Sequence, residues 1–336
     1  MADQLSVFRL RFSAPLHIGN SRDDYASGSA MIHSDAMYAA IFQAWAMLGK
    51  AEWIPKTADE DFGFTISSLF PYCQMENGQI NYFLPRPFYS PDVKRDNPLE
   101  TRLRKKIKKA VWVDTDLFPQ ILSGENLTLA EKNFNGAFWS ANEMGTEPMI
   151  SSRVVPRSVV SRFGDEDTKI FYVERFYFTK NAGLYFYINC SDPQILNRVE
   201  SAMRLLADEG LGTDRNIGHG QFSFEKAAAP NIEVKTEKGM AMAMGLFCPE
   251  SKAQLTDLLA HQKAGYELVK RGGWLSEPYN TWRKKNIYFF KEGSCFSAAS
   301  QKHSFLTLGK NVDLRPDQVA VNHPVWRCGK TLFLTF

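Results

Sequence analysis

The 336-residue sequence predicts an α+β fold of two sheet-and-helix units, the first carrying a long insertion. Three observations predict it. Apolar residues switch between a period of two and a period of 3.6 along the chain. A proline-rich stretch separates the first helix from the next regular run. The composition, 44% hydrophobic and 13% aromatic, fills two cores of about 150 residues each. With 40 basic and 37 acidic residues the net charge is only +3, which excludes a disordered polycation and binding of nucleic acid through bulk charge. Cys73, Cys190, Cys248, Cys295 and Cys328 are scattered, with no C-x-x-C pair. That pattern argues against a disulfide framework or a zinc site and for a reducing compartment. No N-terminal segment resembles a signal peptide, and the longest apolar stretch, Ala36 to Leu48, is interrupted by Gln43. A cytoplasmic protein with no membrane partner is expected.

The elements follow in order. Phe8, Leu10 and Phe12 alternate with Arg9 and Arg11, the pattern of a half-buried strand with a basic outer face. Ser34 reads as an N-cap and Asp35 suits the positive end of a helix dipole. Met37, Ala40, Ile41, Ala44, Trp45 and Leu48 then recur at helical spacing before Gly49. From about 51 to 168, nine prolines break the pattern, so regular elements there should be short and the region reads as an insertion. Regularity returns with Ile170 to Phe178 and Leu184 to Ile188, joined by Lys180-Asn181-Ala182-Gly183, which predicts a hairpin. Asp192 caps the next helix, Pro193 opens it, Ile195, Leu196, Val199, Met203 and Leu206 form its stripe, and Gly210 stops it. A glycine-rich loop, 210–220, leads into Gln221 to Phe224.

That order, βαββαβ, is the order of a ferredoxin-like sandwich. It places a first domain at 1–229. Ala227-Ala228-Ala229-Pro230 reads as a linker, and 230–336 as a second domain that repeats the first more loosely. Its predicted strands are Met240–Phe247, Tyr266–Val269, Asn286–Phe290 and Thr331–Phe336, with a helix at Ser251–Ala260.

The sharpest local feature is Gly210-Leu211-Gly212-Thr213-Asp214-Arg215-Asn216-Ile217-Gly218-His219-Gly220. A dinucleotide fingerprint needs G-x-G-x-x-G between a strand and a helix, whereas here the spacing differs and a helix precedes the loop. Glycines let backbone N–H groups approach a phosphate, and Arg215 adds charge. A helix stop followed by a turn is the alternative. Arg86 to Lys109 holds nine basic and three acidic residues, a net +6 that exceeds the +3 of the whole chain. It is either a polyanion-binding patch or a solvated helix face. Arg153, Arg157 and Arg162 recur at spacings of four and five, suited to a phosphate backbone or to ion pairs with residues such as Asp165 and Asp167. The six histidines are widely separated and show no H-E-x-x-H spacing, so neither a metal nor a cofactor is implied. His33-Ser34-Asp35 are chain neighbours and cannot face one another as a triad, so capping accounts for them better. His17 or His219 as a general base in RNA cleavage is the enzymic alternative. Among the aromatics, Trp112 and Phe163 are candidates to stack on bases.

Leu16-His17-Ile18-Gly19, the run Ile32 to Ile41, Phe83-Leu84-Pro85-Arg86-Pro87, the glycine loop and the terminal His323 to Lys330 together resemble the RAMP superfamily. Their order resembles the members that cap the crRNA at its 5′ handle in type III-A CRISPR (Csm) effector complexes. The resemblance implies a pair of ferredoxin-like (RRM-like) domains whose cleft holds the crRNA tag. It implies a non-catalytic subunit between the large polymerase-nuclease subunit and the first repeated backbone subunit, meeting target RNA only indirectly. By motif position, His17, Gly19, Asn20, Ser21, Arg22 and Ser34 would lie near the tag. Gly210, Gly212, Arg215, Asn216, Gly218, His219 and Gly220 would be the loop contacts, and Arg86, Arg153, Arg157 and Arg162 would face RNA. The loop departs from the family in having one arginine beside Asp214, which shifts phosphate contact toward the backbone. The alternatives are an endoribonuclease of the same superfamily that processes CRISPR precursor RNA, the equivalent type III-B subunit, and an enzyme that binds a free nucleotide on the glycine loop.

Overall fold

The computed structural model describes residues 5–19, 25–58, 60–89, 98–124, 130–160, 168–232, 239–298, 305–318 and 320–336. Asn20, Ser21, Arg22, Arg162 and Phe163 lie outside them. The first part of the chain forms β1 (Leu5–Phe12), α1 (Ser34–Met47), β2 (Thr65–Ile66), β3 (Phe70–Gln74), β4 (Ile80–Pro85), α2 (Pro98–Lys109), β5 (Trp112–Asp114) and α3 (Phe118–Ser123). It continues with β6 (Phe134–Asn135), β7 (Phe138–Trp139), β8 (Ile150–Val159), β9 (Lys169–Phe178), β10 (Ala182–Asn189), α4 (Pro193–Glu209) and β11 (Phe222–Ala228). One sheet runs β11-β1-β10-β3-β4-β5-β7-β6, with β2 also on β10.

The hairpin expected between β9 and β10 does not form. The turn exists, with Ala182 N–H bonded to Thr179 O at 3.0 Å, but the strands part beyond it. β10 pairs with β1 on one side and with β2 and β3 on the other, while β9 pairs with β8 from Ile150↔Phe178 to Val159↔Lys169. The cause is burial. β10 is apolar on both faces and takes a central position, whereas β9 carries Lys169, Glu174 and Arg175 among its aromatic residues, is only partly buried along most of its length and forms a ribbon. The stretch read as an insertion thus supplies β3, the strand beside β10, and extends the sheet through β4, β5, β7 and β6.

Alternation on β1 and β10 builds two cores. Phe8, Leu10, Phe12, Leu184, Phe186 and Ile188 face α1 and α4, whose stripes include Met37, Ile41, Trp45, Val199, Met203 and Leu206. Asp192 caps α4 by accepting from Gln194 N–H at 2.8 Å, Pro193 opens it and Gly210 ends it, as the sequence predicts. On the other face Val7, Phe70, Tyr185 and Tyr187 meet Met240, Met242, Leu332 and Leu334 of the second half. β1 is therefore covered on both sides over most of its length; Arg9 pairs with Glu225 at 3.1 Å, and of the expected basic face only Arg11 stays exposed.

The second half comprises β12 (Met240–Ala243), α5 (Lys252–Leu258), β13 (Leu268–Arg271), β14 (Ile287–Phe290), β15 (Cys295–Ser297), β16 (Phe305–Leu308), β17 (Asn311–Asp313), β18 (Trp326–Cys328) and β19 (Thr331–Thr335). A sheet runs β15-β12-β19-β16, flanked by the ribbons β13-β14 and β17-β18. Among the described residues this half has one helix where a full βαββαβ unit has two. The segment read as a linker is partly strand, with Ala227 opposite Val7 and Ala228 opposite Ser6. The whole is a mixed fold, mostly sheet with few helices, and no helix among the described residues is long and apolar enough to cross a membrane.

Candidate nucleic-acid interface

The glycine loop is shaped by close approach, and most of its glycines serve the protein itself. Gly210, Gly212, Gly218 and Gly220 all have positive φ, between 74° and 100°. A Cβ on Gly210 would overlap the His219 carbonyl, one on Gly212 the His17 carbonyl, and one on Gly220 the Leu211 carbonyl. Only Gly218 faces open space. Backbone N–H groups of the loop are likewise spent inside: Leu211 on Gly220 O, Thr213 on His17 O and Gly220 on Pro15 O, at 2.8 to 3.1 Å. The loop surface left to a ligand is its tip, Asn216 to Gly218, where Asn216, Ile217 and Gly218 are exposed.

Asp214, the acidic departure, anchors the β8-β9 ribbon. Arg157 donates Nη1 to both its carboxylate oxygens, at 3.1 and 3.2 Å, and Arg175 lies 3.9 Å away. Arg157 also lies over the Phe171 ring at 5.6 Å, and exposed Arg153 over Tyr177 at 5.6 Å. Arg215 donates to Gln43 Oε1 at 3.0 Å, tying the loop to α1.

Between this ribbon, the loop tip and the second half opens a cleft of about 810 Å³. Arg157, Lys169, Lys270, Arg271 and Arg327 line it with Tyr25, Phe171 and Trp274, against the single carboxylate Asp214; Gly19, Thr213 and Asn216 complete its rim. Sequence reasoning missed Lys169, Lys270, Arg271 and Trp274, because they stand in strands and turns with no spacing that marks them.

Other predicted site residues lie elsewhere. His17 is 1% exposed and donates Nδ1–H to Glu174 O at 2.6 Å, with Nε2 buried and unpartnered. His219 is half-buried; burial first, then Arg175, hold its imidazole below the ordinary value, so it is neutral at pH 7. Arg86 donates to Ile107 O at 2.7 Å, closing the end of α2. That helix presents Lys105, Lys108 and Lys109 to solvent, with Lys106 at 3.6 Å from Glu131. Trp112 packs on Phe70 in the core, ring centres 6.1 Å apart.

Ser34 is not an N-cap. It is the first residue of α1, wholly buried; its N–H donates to Ser68 Oγ at 2.8 Å and its Oγ accepts from Leu246 N–H at 3.0 Å. It stitches the two halves. His33 and Ser68 both bond Glu292, the former at 2.8 Å. Asp35 accepts from Arg271 Nε and Nη2, both at 3.0 Å, and lies 3.3 Å from Arg327 Nε. Burial alone would raise the Asp35 carboxyl, but the two arginines outweigh it and hold it below the ordinary range.

Residues 236–336 match the family of the CRISPR Csm4 C-terminal domain. The chain is 23% identical to the CRISPR system Cms protein Csm4 of Methanocaldococcus jannaschii, covering 99% of this chain and 97% of that protein. It is 25% identical to the Csm4 of Thermococcus onnurineus, covering 78% and 80%. Among solved structures it is similar to a chain of a Csm3-Csm4 subcomplex of the type III-A CRISPR-Cas interference complex, with TM-score 0.66, 18% identity and coverage of 98% and 99%. A chain of a Csm1-Csm4 cassette in complex with cA4 gives TM-score 0.60, 19% identity and coverage of 98% and 97%. The resemblance read from the motifs is therefore supported: residues 236–336 match the Csm4 C-terminal domain, and the chain is similar in sequence to curated Csm4 proteins and in fold to a Csm4-containing subcomplex chain.

Proposed function

We propose that this chain is the non-catalytic subunit that holds the crRNA 5′ handle in a type III-A CRISPR (Csm) effector complex, gripping it in the cleft between the β8-β9 ribbon, the glycine-loop tip and the second half. One observation carries the reading: a single cleft gathers five basic and three aromatic side chains from both halves against one carboxylate already engaged by Arg157. Charge of that kind holds phosphates, and the rings stack on bases with little regard to sequence. Two ferredoxin-like units joined near residues 229 and 230 make the two walls. The sheet order β11-β1-β10-β3 supports the first unit and β19-β12-β15 the second. The Csm3-Csm4 and Csm1-Csm4 assemblies of similar chains support a backbone subunit and the large polymerase-nuclease subunit as partners.

Lys270, exposed in the cleft, is the clean probe. Lys270→Glu weakens binding of an RNA carrying the repeat-derived tag by about tenfold at 0.15 M salt, and lowers the slope of log affinity against log salt by about 0.7 for each phosphate that the protein no longer neutralises. Arg157→Glu acts in the same direction. Anisotropy titrations across a salt series measure both, and unchanged affinity and slope in both variants would remove the assigned surface.

His17 is sealed by protein and cannot touch a substrate, which leaves His219 as the one histidine of the loop able to serve a nuclease. Incubated with repeat RNA in chelator, the chain leaves it intact. A discrete cut that His219→Ala abolishes would favour the processing enzyme instead.

A further inference from the structure

The start of α1 carries a charge cluster that gripping RNA in the cleft leaves unexplained. Arg271 and Arg327, both on Asp35, line the cleft. Behind it lies a second cavity of about 600 Å³, walled by Phe42, Ile54, Trp326 and Lys284; Arg327 borders both cavities. Lys284 sits in the partition, its N–H bonded to the O of cleft residue Gly273 at 2.8 Å.

Charge does not balance there. Three cations share one carboxylate. Glu292 is engaged by His33 and Ser68, and Arg315 on the cavity wall is paired with Asp313 at 2.6 Å. Lys56 and Glu277, also on that wall, carry opposite charges, and the remaining titratable groups are Tyr279 and His323. Partly enclosed positive charge without a counter-ion is unfavourable, and an anion that also accepts hydrogen bonds relieves it. Guanidinium groups match phosphate oxygens in geometry.

We propose that Arg271, Arg327 and Lys284, held in register by Asp35, form a node that takes one phosphate of the RNA as the strand passes from the cleft toward the second cavity. Asp35 is a positioning residue: its charge opposes the phosphate, but it fixes both arginines. The inference rests on the reading that the cleft holds RNA. Lys284 gives it a pH signature. Burial first, then Arg327, push its amine down to about 8. A phosphate beside it favours the protonated form, so binding is strongest below that value and weakens as pH rises through it. The loss is up to tenfold for each unit by which the phosphate raises the amine's pKa.

The experiment uses the full chain and tagged RNA between pH 7 and 9.5, with Lys284→Arg, Lys284→Gln and a set of RNAs in which each phosphate in turn is a neutral methylphosphonate. Wild type weakens as pH rises. Lys284→Arg binds like wild type at pH 7 and loses that dependence. Lys284→Gln binds about tenfold more weakly at pH 7. One methylphosphonate costs wild type more than it costs Lys284→Gln, which keeps only the two arginine contacts, the coupling expected of direct contact. The node is overturned if Lys284→Arg keeps the wild-type pH profile, or if every methylphosphonate costs the two proteins equally. If the Lys284 variants bind like wild type while Lys270→Glu is weakened, the node alone falls. If Lys270→Glu is unaffected too, the cleft reading falls with it.

Discussion

Asp35→Ala lowers the stability of the chain by about 3–5 kcal/mol, because it strands Arg271 and Arg327 at a largely buried site without their counter-charge. Asp35 is wholly buried and the two arginine side chains are only 23% and 11% exposed, so water does little to screen the loss. At about 2–4 °C per kcal/mol for a domain of this size, the melting temperature falls by roughly 10 °C. Asp35→Asn preserves volume and an acceptor and falls by less. The acid limb gives a second reading. The carboxyl is depressed in the folded chain, so its contribution is complete above the unfolded value near 3.9 and is lost as pH falls through the lower folded value. Wild type therefore loses stability below about pH 4, and Asp35→Asn lacks that component. Thermal melts at pH 7 and urea titrations down to pH 3 measure both, and an Asp35→Ala variant melting within 2 °C of wild type would mean the two halves do not depend on this carboxylate.

Gly220→Ala and Gly218→Ala should differ by more than any other neighbouring pair in the loop. Both glycines have positive φ, 74° and 84°, which costs an alanine about 1–2 kcal/mol. At Gly218 that is the whole cost, because the added methyl meets nothing within 4 Å. At Gly220 the methyl overlaps the Leu211 carbonyl, and the N–H bond to Pro15 O, 2.8 Å, holds the backbone in place. The loop must open, at a cost above about 3 kcal/mol. Because the loop braces the His17 segment through Thr213, Gly220→Ala also weakens binding of tagged RNA, and Gly218→Ala does so only slightly. Melting curves and hydrogen exchange at Leu211 and Thr213 separate the two; equal effects would show that the loop does not close on itself in solution.

Signals carried within a few residues were legible. Asp192, Pro193 and Gly210 bound α4 where the sequence places them, and the 3.6 spacing from Met37 to Trp45 gives α1. Choice of partner across the chain was not. Asn181 and Gly183 mark a real turn, but whether β10 pairs with β9 depends on which strand lies beside it once helices and the second half cover its two apolar faces, and that strand is β3, over a hundred residues upstream. The unbroken apolar run Leu184 to Ile188 was the available clue to a central strand. Ser34 and Asp35 look locally like a cap. Their partners, Leu246, Arg271 and Arg327, lie more than two hundred residues away, so no spacing rule connects them. The cleft was hidden for the same reason, since Lys270 and Trp274 reach it only once the two sheets have packed.

Trp326 has a consequence for how the chain can be divided. Its indole N–H donates to Pro55 O at 2.8 Å, and together with Cys328 it lies among the side chains beneath α1. A ribosome that stopped before this tryptophan would release a polypeptide with its helical roof unsealed and sticky. Two separately expressed fragments would have to associate to rescue each other. Early nonsense variants should accordingly be cleared by proteases instead of persisting as shortened but working subunits.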